Sequence, residues 1–489
     1  MSITFSNVPD TARASKVFVE QEAVSRGTGS EAIPHKILIM GQYNSGFSPE
    51  EGVPKLISSR EQAWELYGRG SQLSRMLERV LDNCGTVSVY ACPLAADGAA
   101  VSAAGSFVIT GPATAAGALH LYVEGEEVTV SVASGDTAST IGDSIADAIN
   151  ADLDLPVTAS NIDGTVTLTC RWAGESGNGI DLALNLDDDD ETPAGLEVTV
   201  TDLTGGATDP DLTDTLAALG DTWFTEIVSP FDSSDALTAL VNAGDDRNDP
   251  GVKRQILAFV GYTDTYDNYL TELGSWNSEW LSFIPVCESA SSPYMIAAAA
   301  CAVWAKYQQA TPGRPVRTLK IPDVLSADGN DLTYTQKNTG VLAGGSYTEN
   351  RSDGSVQFGD VCTTRTTTDA GAATDDYQFA VIIANLQFKI YALENKFLAS
   401  PYDRGVVVSD GAGRKPSYAV TPNMVKADAI ALVDDWIERG LSTDRADIVD
   451  NIEAEINSSN PGRIDLLIPD VASAGLRIVG LKLEWGFTS

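Results

Sequence analysis

The sequence predicts an α/β (α+β) core that carries an inserted β-rich α+β domain and is prolonged at both ends by extended β-arms. Three observations point there. Strand and helix signals alternate on both sides of a central segment. That segment, residues 101–210, holds 19 acidic groups and one basic group, Arg171, and so about half of the net charge of −37. Near the C-terminus, Val479, Leu481, Leu483, Trp485 and Phe487 alternate with Gly480, Lys482, Glu484 and Gly486, the period-2 pattern of a half-buried strand. A terminal strand of that kind either closes its own sheet or pairs with another chain.

In chain order, residues 1–30 read as an N-terminal arm and linker, with a short strand signal at Val17, Phe18, Val19 and Glu20 and a glycine-rich hinge at 27–30. Lys36–Gly41 is a buried-strand run. Ser59 caps a first helix, and Leu73, Met76, Leu77, Val80 and Leu81 give a second its spacing before a strand at Thr86–Ala91. In the insert, 106–204, β runs at Ser106–Thr110, Leu119–Val123 and Val128–Val132 include a hairpin turn at Glu124-Gly125-Glu126. Ile141, Ile145 and Ile149 stripe a helix over Thr137–Asn150, and Asp163-Gly164 turns a second hairpin between Val157–Ala159 and Val166–Cys170. Ile180–Leu186 and Leu196–Thr201 complete the insert.

Beyond it, helices at Leu212–Leu219, Ala236–Val241, Asp264–Leu273 and Pro293–Gln308 alternate with strands at Trp223–Val228, Gln255–Val260 and Trp280–Pro285. That rhythm predicts a mostly parallel sheet, with 31–95 and 205–475 forming one discontinuous core. Gly340–Tyr347 and Val356–Arg365 read as paired strands, and Tyr377–Ala399, Asn423–Arg439 and Thr443–Ile456 as helices. Arg463–Ile468 is a strand, and 476–489 is the C-terminal arm strand.

Composition bounds the function. With 43% apolar and 20% charged residues the chain can bury a sizeable core. Its negative charge repels nucleic acid, so no direct nucleic-acid partner is expected. No apolar run approaches the length of a membrane span, and no apolar stretch follows a basic start, so neither membrane insertion nor a signal peptide is expected. Six cysteines without a CxxC pair read as reduced, buried thiols.

Chemistry is poorly represented. His35 and His120 fall in different domains with no evident partners, which argues against a zinc or imidazole site. Asp187-Asp188-Asp189-Asp190-Glu191 lacks the interleaved ligands of a calcium loop and reads as a solvated acidic loop. Gly41–Gly46 follows a strand but has no lysine and Ser/Thr pair to complete a phosphate loop, and no G-x-S-x-G elbow occurs. No catalytic, cofactor or metal residues are therefore assigned. On the helix at Asn423–Arg439, Asp428, Asp434, Asp435 and Glu438 lie mostly off the apolar stripe of Val425, Ala429, Leu432, Val433 and Trp436. They form either a solvated acidic face or a docking face for a basic partner.

Several stretches together resemble one family. They are Ile3–Asp10 with Val17–Glu20; Ser355–Thr368 feeding the helix from Tyr377; and Val420-Thr421-Pro422-Asn423, Arg463-Ile464-Asp465 and Ile468-Pro469-Asp470 leading to the last strand. In order and spacing they are similar to contractile tail sheath proteins of the Mu-like myophage type, most of all over about 340–475; the insert carries no sheath motif. The resemblance implies a late virion protein, without enzymatic activity or cofactor. It would be assembled in the host bacterial cytoplasm into stacked hexameric rings, a helical polymer around the tail tube protein, bounded by baseplate and tail terminator. Contraction would drive the tube through the host envelope for genome ejection. Val17–Glu20 and Val479–Phe487 would exchange strands between subunits, flexing at Gly27, Gly29 and Ser473–Gly475, and Asp428, Asp434, Asp435 and Glu438 would face the tube. A headless contractile bacteriocin would use a similar sheath. A hydrolase would instead require a paired, buried Asp or Glu in a pocket.

Overall fold

The computed structural model describes residues 33–187, 189–326 and 332–485. The chain divides into two units, the larger comprising 33–395, 441–443 and 471–485 as far as these are described.

In the larger unit, β1 (Lys36–Gln42) is followed by β2 (Lys55–Ile57), α1 (Arg60–Tyr67), α2 (Gln72–Asn83) and β3 (Ser88–Leu94). Ser59 and Ser71 cap the two helices by accepting from the backbone N–H three residues on. The insert follows as β4 (Ala104–Thr110), β5 (Gly117–Val123), β6 (Glu126–Val132), α3 (Ala138–Ala151), β7 (Val157–Ile162), β8 (Thr165–Cys170), β9 (Leu182–Leu184) and β10 (Glu197–Thr204). The core resumes with α4 (Thr213–Ala217), β11 (Glu226–Val228), α5 (Ser234–Asn248), β12 (Leu257–Tyr262), α6 (Tyr266–Leu273), β13 (Leu281–Pro285) and α7 (Pro293–Ala310).

The central sheet has the order β13-β12-β11-β1-β3-β2, parallel throughout except for β2 at one edge. The parallel layer expected from the strand–helix rhythm is thus present. β1 is apolar on both faces, as a parallel strand covered on both sides must be. Ile37 and Ile39 enter one core with Leu73, Met76, Leu77 and Val80 of α2, whereas Leu38 and Met40 enter another with Phe231, Leu237, Leu240 and Phe283. On the first face the buried small side chains of α7, Ala297–Ala300 and Ala302, let helix and sheet approach closely. At Gly261 of β12 an added Cβ would stand 1.8 Å from Pro293 O, so only glycine fits beneath the start of α7.

The insert builds two sheets of its own, β10-β4-β8-β7 and β6-β5-β9, all antiparallel. Its turns are those expected: Glu124 and Gly125, and Asp163 and Gly164, all have positive φ, as tight hairpins require. Ile141, Ile145 and Ile149 are the buried stripe of α3. The insert begins and ends at one bridge, where Val101 N–H donates to Ala207 O and Ala207 N–H to Val101 O (3.0 and 3.2 Å). Its Phe107, Leu119, Ile145 and Leu168 belong to the same buried cluster as Ile37 and Ile39.

Several elements differ from expectation. Gly340–Tyr347 is not a strand: α8 (Tyr334–Leu342), opened by a Thr333–Gln336 capping box, runs into it. β15 (Thr348–Asn350) then pairs with β16 (Ser355–Phe358), whose other neighbour is β14 (Lys320–Leu325), a strand not anticipated. α9 (Ala380–Leu398) follows, its buried Ala380, Val381 and Ala384 joining the first core.

The smaller unit comprises residues 396–440 and 444–470 among those described. It holds the pair β17 (Val406–Val407) and β18 (Ala419–Val420), then α10 (Pro422–Glu438), α11 (Arg445–Asp450) and the hairpin β19 (Glu453–Ile456) to β20 (Ile464–Leu467). Thr421 caps α10, and its expected stripe of Val425, Ala429, Leu432, Val433 and Trp436 is buried. The helix expected over Thr443–Ile456 is only α11. Asp444 before it is in the left-handed region, and the chain turns extended at β19.

Candidate assembly site

Where the two strands beside the centre of a parallel sheet are separated in sequence, the crevice at their carboxyl ends is the usual ligand position. Here β3 and β11 flank β1, and the insert lies between them in sequence. That place is filled from within. Gln42 at the end of β1 donates through Nε2 to Ala173 O (2.7 Å), and its backbone N–H donates to Gln72 Oε1 (3.0 Å). Gln72 Nε2 in turn donates to Ser176 Oγ (2.9 Å), which also accepts from Trp172 Nε1 (3.2 Å).

Among the described residues of the larger unit, two buried carboxylates are each held by partners within the fold. Glu124, in the β5–β6 turn, receives Arg75 Nη2 of α2 at 2.5 Å and Tyr294 OH of α7 at 2.5 Å, and also accepts from Ser292. Burial alone would lower the proton affinity of the Arg75 guanidinium; Glu124, Tyr294 and Glu126 outweigh it, and the group stays firmly charged. Glu226 of β11 is held by His35 Nδ1 at 2.7 Å and by the Thr225 hydroxyl. These groups hold elements together.

The C-terminal segment is anchored as far as Arg477. Ser473 N–H donates to Leu441 O (3.1 Å), and Ala472 forms a bridge with Ser442. Gly475 lies against Pro315, where a Cβ would be 2.4 Å from Cγ. Arg477 O accepts from Arg317 Nη1 (3.0 Å), and its guanidinium stacks over Phe379. Ser473–Gly475, expected to flex, is therefore packed; the first later glycine with open space around it is Gly480. Beyond Arg477 the side chains of Ile478, Val479, Leu481, Leu483 and Trp485 are exposed, Leu481 to 91%. Residues 478–485 contain no strand or bridge in the single chain. Phe487, and Val17, Phe18, Val19 and Glu20 of the N-terminal arm, lie outside the described residues.

The acidic face of α10 is largely paired within the smaller unit. Asp428 receives Lys396 Nζ (2.9 Å) and the Tyr402 hydroxyl, Asp434 receives Arg445 Nε (2.5 Å) and Asp435 receives Arg439 Nε (3.0 Å); Glu438 is exposed. Sequence spacing revealed the acids and Arg439 at the helix end, but not Lys396, Tyr402 or Arg445.

His120, which showed no evident partner in the sequence, has two. Its Nδ1 lies 2.6 Å from Glu127 Oε1 and 3.5 Å from Asp190 Oδ1. The hydrogen bond to Glu127 raises the imidazole above its ordinary pKa; burial is the next-largest effect and opposes it, and the charges of Asp190, Glu127 and Asp187 add to the rise. The only sequence signal was the cross-strand geometry of the Glu124–Gly125 hairpin, which brings positions 120 and 127 close; Asp190 comes from a loop that sequence cannot place. Among the described residues no helix is long and apolar enough to cross a membrane.

The parallel core has its crevice filled by residues of the insert, and the described C-terminal segment presents exposed apolar side chains. Residues 205–364 match the family model of the phage tail sheath protein central domain. Over 469 residues the chain is 30% identical to the Mu-like prophage FluMu tail sheath protein of Haemophilus influenzae, covering 96% of each. The chain belongs to the phage tail sheath protein family and is a structural tail sheath protein. Among solved structures it is similar to the sheath tail protein of Desulfitobacterium hafniense (13% identity, TM-score 0.49, 94% of this chain and 97% of that one). It is also similar to that of Listeria innocua (12% identity, TM-score 0.46, 91% and 96%).

Proposed function

We propose that this chain polymerises as stacked hexameric rings, a helical sheath around a tail tube protein joined to a baseplate and closed by a tail terminator. Contraction of that sheath drives the tube through a host cell envelope for genome ejection. The subunit works without catalysis or cofactor, as part of a virion tail assembled in the host cytoplasm. The observation that carries this reading is the tail beyond Arg477. Val479, Leu481, Leu483 and Trp485 are exposed on a segment with strand periodicity. Burying four such side chains is worth roughly 6–12 kcal/mol at the usual ~1.5–3 kcal/mol each. Adding the segment to a neighbour's sheet supplies that burial along with main-chain hydrogen bonds that survive rigid-body motion. Gly480 gives the joint its freedom, and Arg477 fixes where the arm begins. In this reading Val17–Glu20 forms the second strand-exchanging arm, and Glu438 is the α10 acid most available to the tube.

The test is electron microscopy of the purified chain beside a version ending at Ile478. The full chain should form hollow tubes, and the truncated chain should stay a folded, soluble, non-polymerising subunit with an unchanged unfolding midpoint. Long tubes from the truncated chain would remove the arm from the assembly.

A further inference from the structure

We propose that His120, Glu127 and Asp190 bind one divalent metal ion of the zinc class, tying the acidic β9–β10 loop to the β5–β6 hairpin of the insert. The three residues come from three separate segments: β5, β6 and the loop after β9. One potential ligand atom from each lies within 4.8 Å of the others. With metal–ligand bonds of about 2.0–2.1 Å, two ligands of a tetrahedral shell stand roughly 3.3 Å apart. The His120–Asp190 separation of 3.5 Å already fits that shell, and Glu127 needs to retreat by less than about 1 Å from its present 2.6 Å.

Both carboxylates are held in place by hydroxyl groups. Tyr122 OH donates to Asp190 Oδ2 at 2.6 Å, and Thr129 Oγ1 donates to Glu127 Oε1 at 2.8 Å. Metal sites use such outer partners to aim their ligands. The site is open enough to fill, since His120 and Glu127 are partly exposed while Asp190 is nearly covered.

Charge is a second, independent observation. Asp187 also stands near, 3.4 Å from the Tyr122 hydroxyl, so three carboxylates gather around one imidazole. Residues 101–210 contain a single Lys or Arg, Arg171, and its guanidinium bonds to the carbonyl oxygens of Leu155 and Asp152. Among the described residues no Lys or Arg pairs with Glu127, Asp187 or Asp190. Even a protonated imidazole leaves the cluster anionic, and a divalent cation corrects the imbalance. An imidazole nitrogen in the set selects borderline ions over calcium or magnesium, which prefer all-oxygen shells.

The experiment uses the tag-free full chain, stripped with chelator, and ZnCl2 as the probe, by isothermal titration and by Co2+ absorption in the visible. The expected result is one Zn2+ per chain, a raised unfolding midpoint of the wild type, and a Co2+ band typical of low coordination number. His120→Ala and Asp190→Asn should each weaken binding by about tenfold or more. Asp136→Asn, which removes an acid elsewhere in the insert, should bind like the wild type. If His120→Ala fails to fold, Asp190→Asn decides. Absence of a stoichiometric site, or equal binding by wild type and Asp190→Asn, overturns the proposal and leaves only diffuse attraction to an acidic surface.

Discussion

Arg75 Nη2 stands 2.5 Å from Glu124 Oε2, with the two side chains only 5% and 2% exposed. The pair joins a core helix to the first hairpin of the insert. A buried ion pair contributes little over a well-packed apolar substitute, but breaking one side of it leaves a stranded charge. Glu124→Leu should therefore cost about 3–5 kcal/mol in urea unfolding. The double variant Arg75→Met/Glu124→Leu should recover most of that loss, and a double variant no more stable than Glu124→Leu would show that the pair is not the unit that matters.

Gly261→Ala should be the most damaging single methyl group in the core. The new Cβ would meet the backbone of Pro293, which cannot swing aside as a side chain can. A loss of about 3 kcal/mol or more is expected, read as a lowered unfolding midpoint or as a failure to recover soluble protein. A wild-type midpoint would mean that β12 and α7 can part at no cost.

Asp181 is pushed up to about 6, mainly by burial and then by the nearby charge of Asp202. A carboxyl raised in the folded state binds its proton more tightly there than in the unfolded chain, so stability falls as pH rises from about 4 to about 6 and stays lower above. Asp181→Asn removes this penalty. After discounting for partial solvent screening, it should be more stable than the wild type by on the order of 1 kcal/mol at pH 7.5. The gap should close as pH falls below 6, as measured by denaturant unfolding at each pH.

All six cysteines are free and buried. Burial raises the Cys92 thiol to about 12 and Cys287 to about 11, and the others shift the same way. Since the thiolate is the reactive form, a thiol reagent should label the native protein roughly 100-fold more slowly than a small thiol. All six should react once denaturant is added. Rapid labelling of one thiol in the native state would expose a local opening.

The elements legible in the sequence were those specified by contacts near in the chain. The β1 run, the Ser59 cap, the apolar spacing of α2, the isoleucine stripe of α3 and the two Asx/Glu-Gly turns each carry their cause within a dozen residues. Gly340–Tyr347 misled because glycine and apolar residues outvoted a capping box beginning at Thr333, seven residues upstream. At Thr443–Ile456 the apolar spacing continued past the point where Asp444 and Asn451 confine the helix. The candidate sites were less legible still. The α10 acids were visible, yet Lys396 and Arg445, which neutralise two of them, lie 32 and 11 positions away from the acids they pair with. His120 and Asp190 are 70 positions apart and meet only because β9 pairs with β5.

The bridge between Val101 and Ala207 closes the two ends of the insert on each other by hydrogen bonds, yet Phe107, Leu119, Ile145 and Leu168 share one buried cluster with the central sheet, so the insert is part of the core rather than a detachable appendage. A bare two-residue splice would also fail for a chemical reason. Arg75 would remain in the core as a cation without its Glu124 anion. Any segment put in its place must therefore cover the apolar face that Phe107 and Leu168 fill, and must either present a carboxylate to α2 or come with an apolar replacement at position 75.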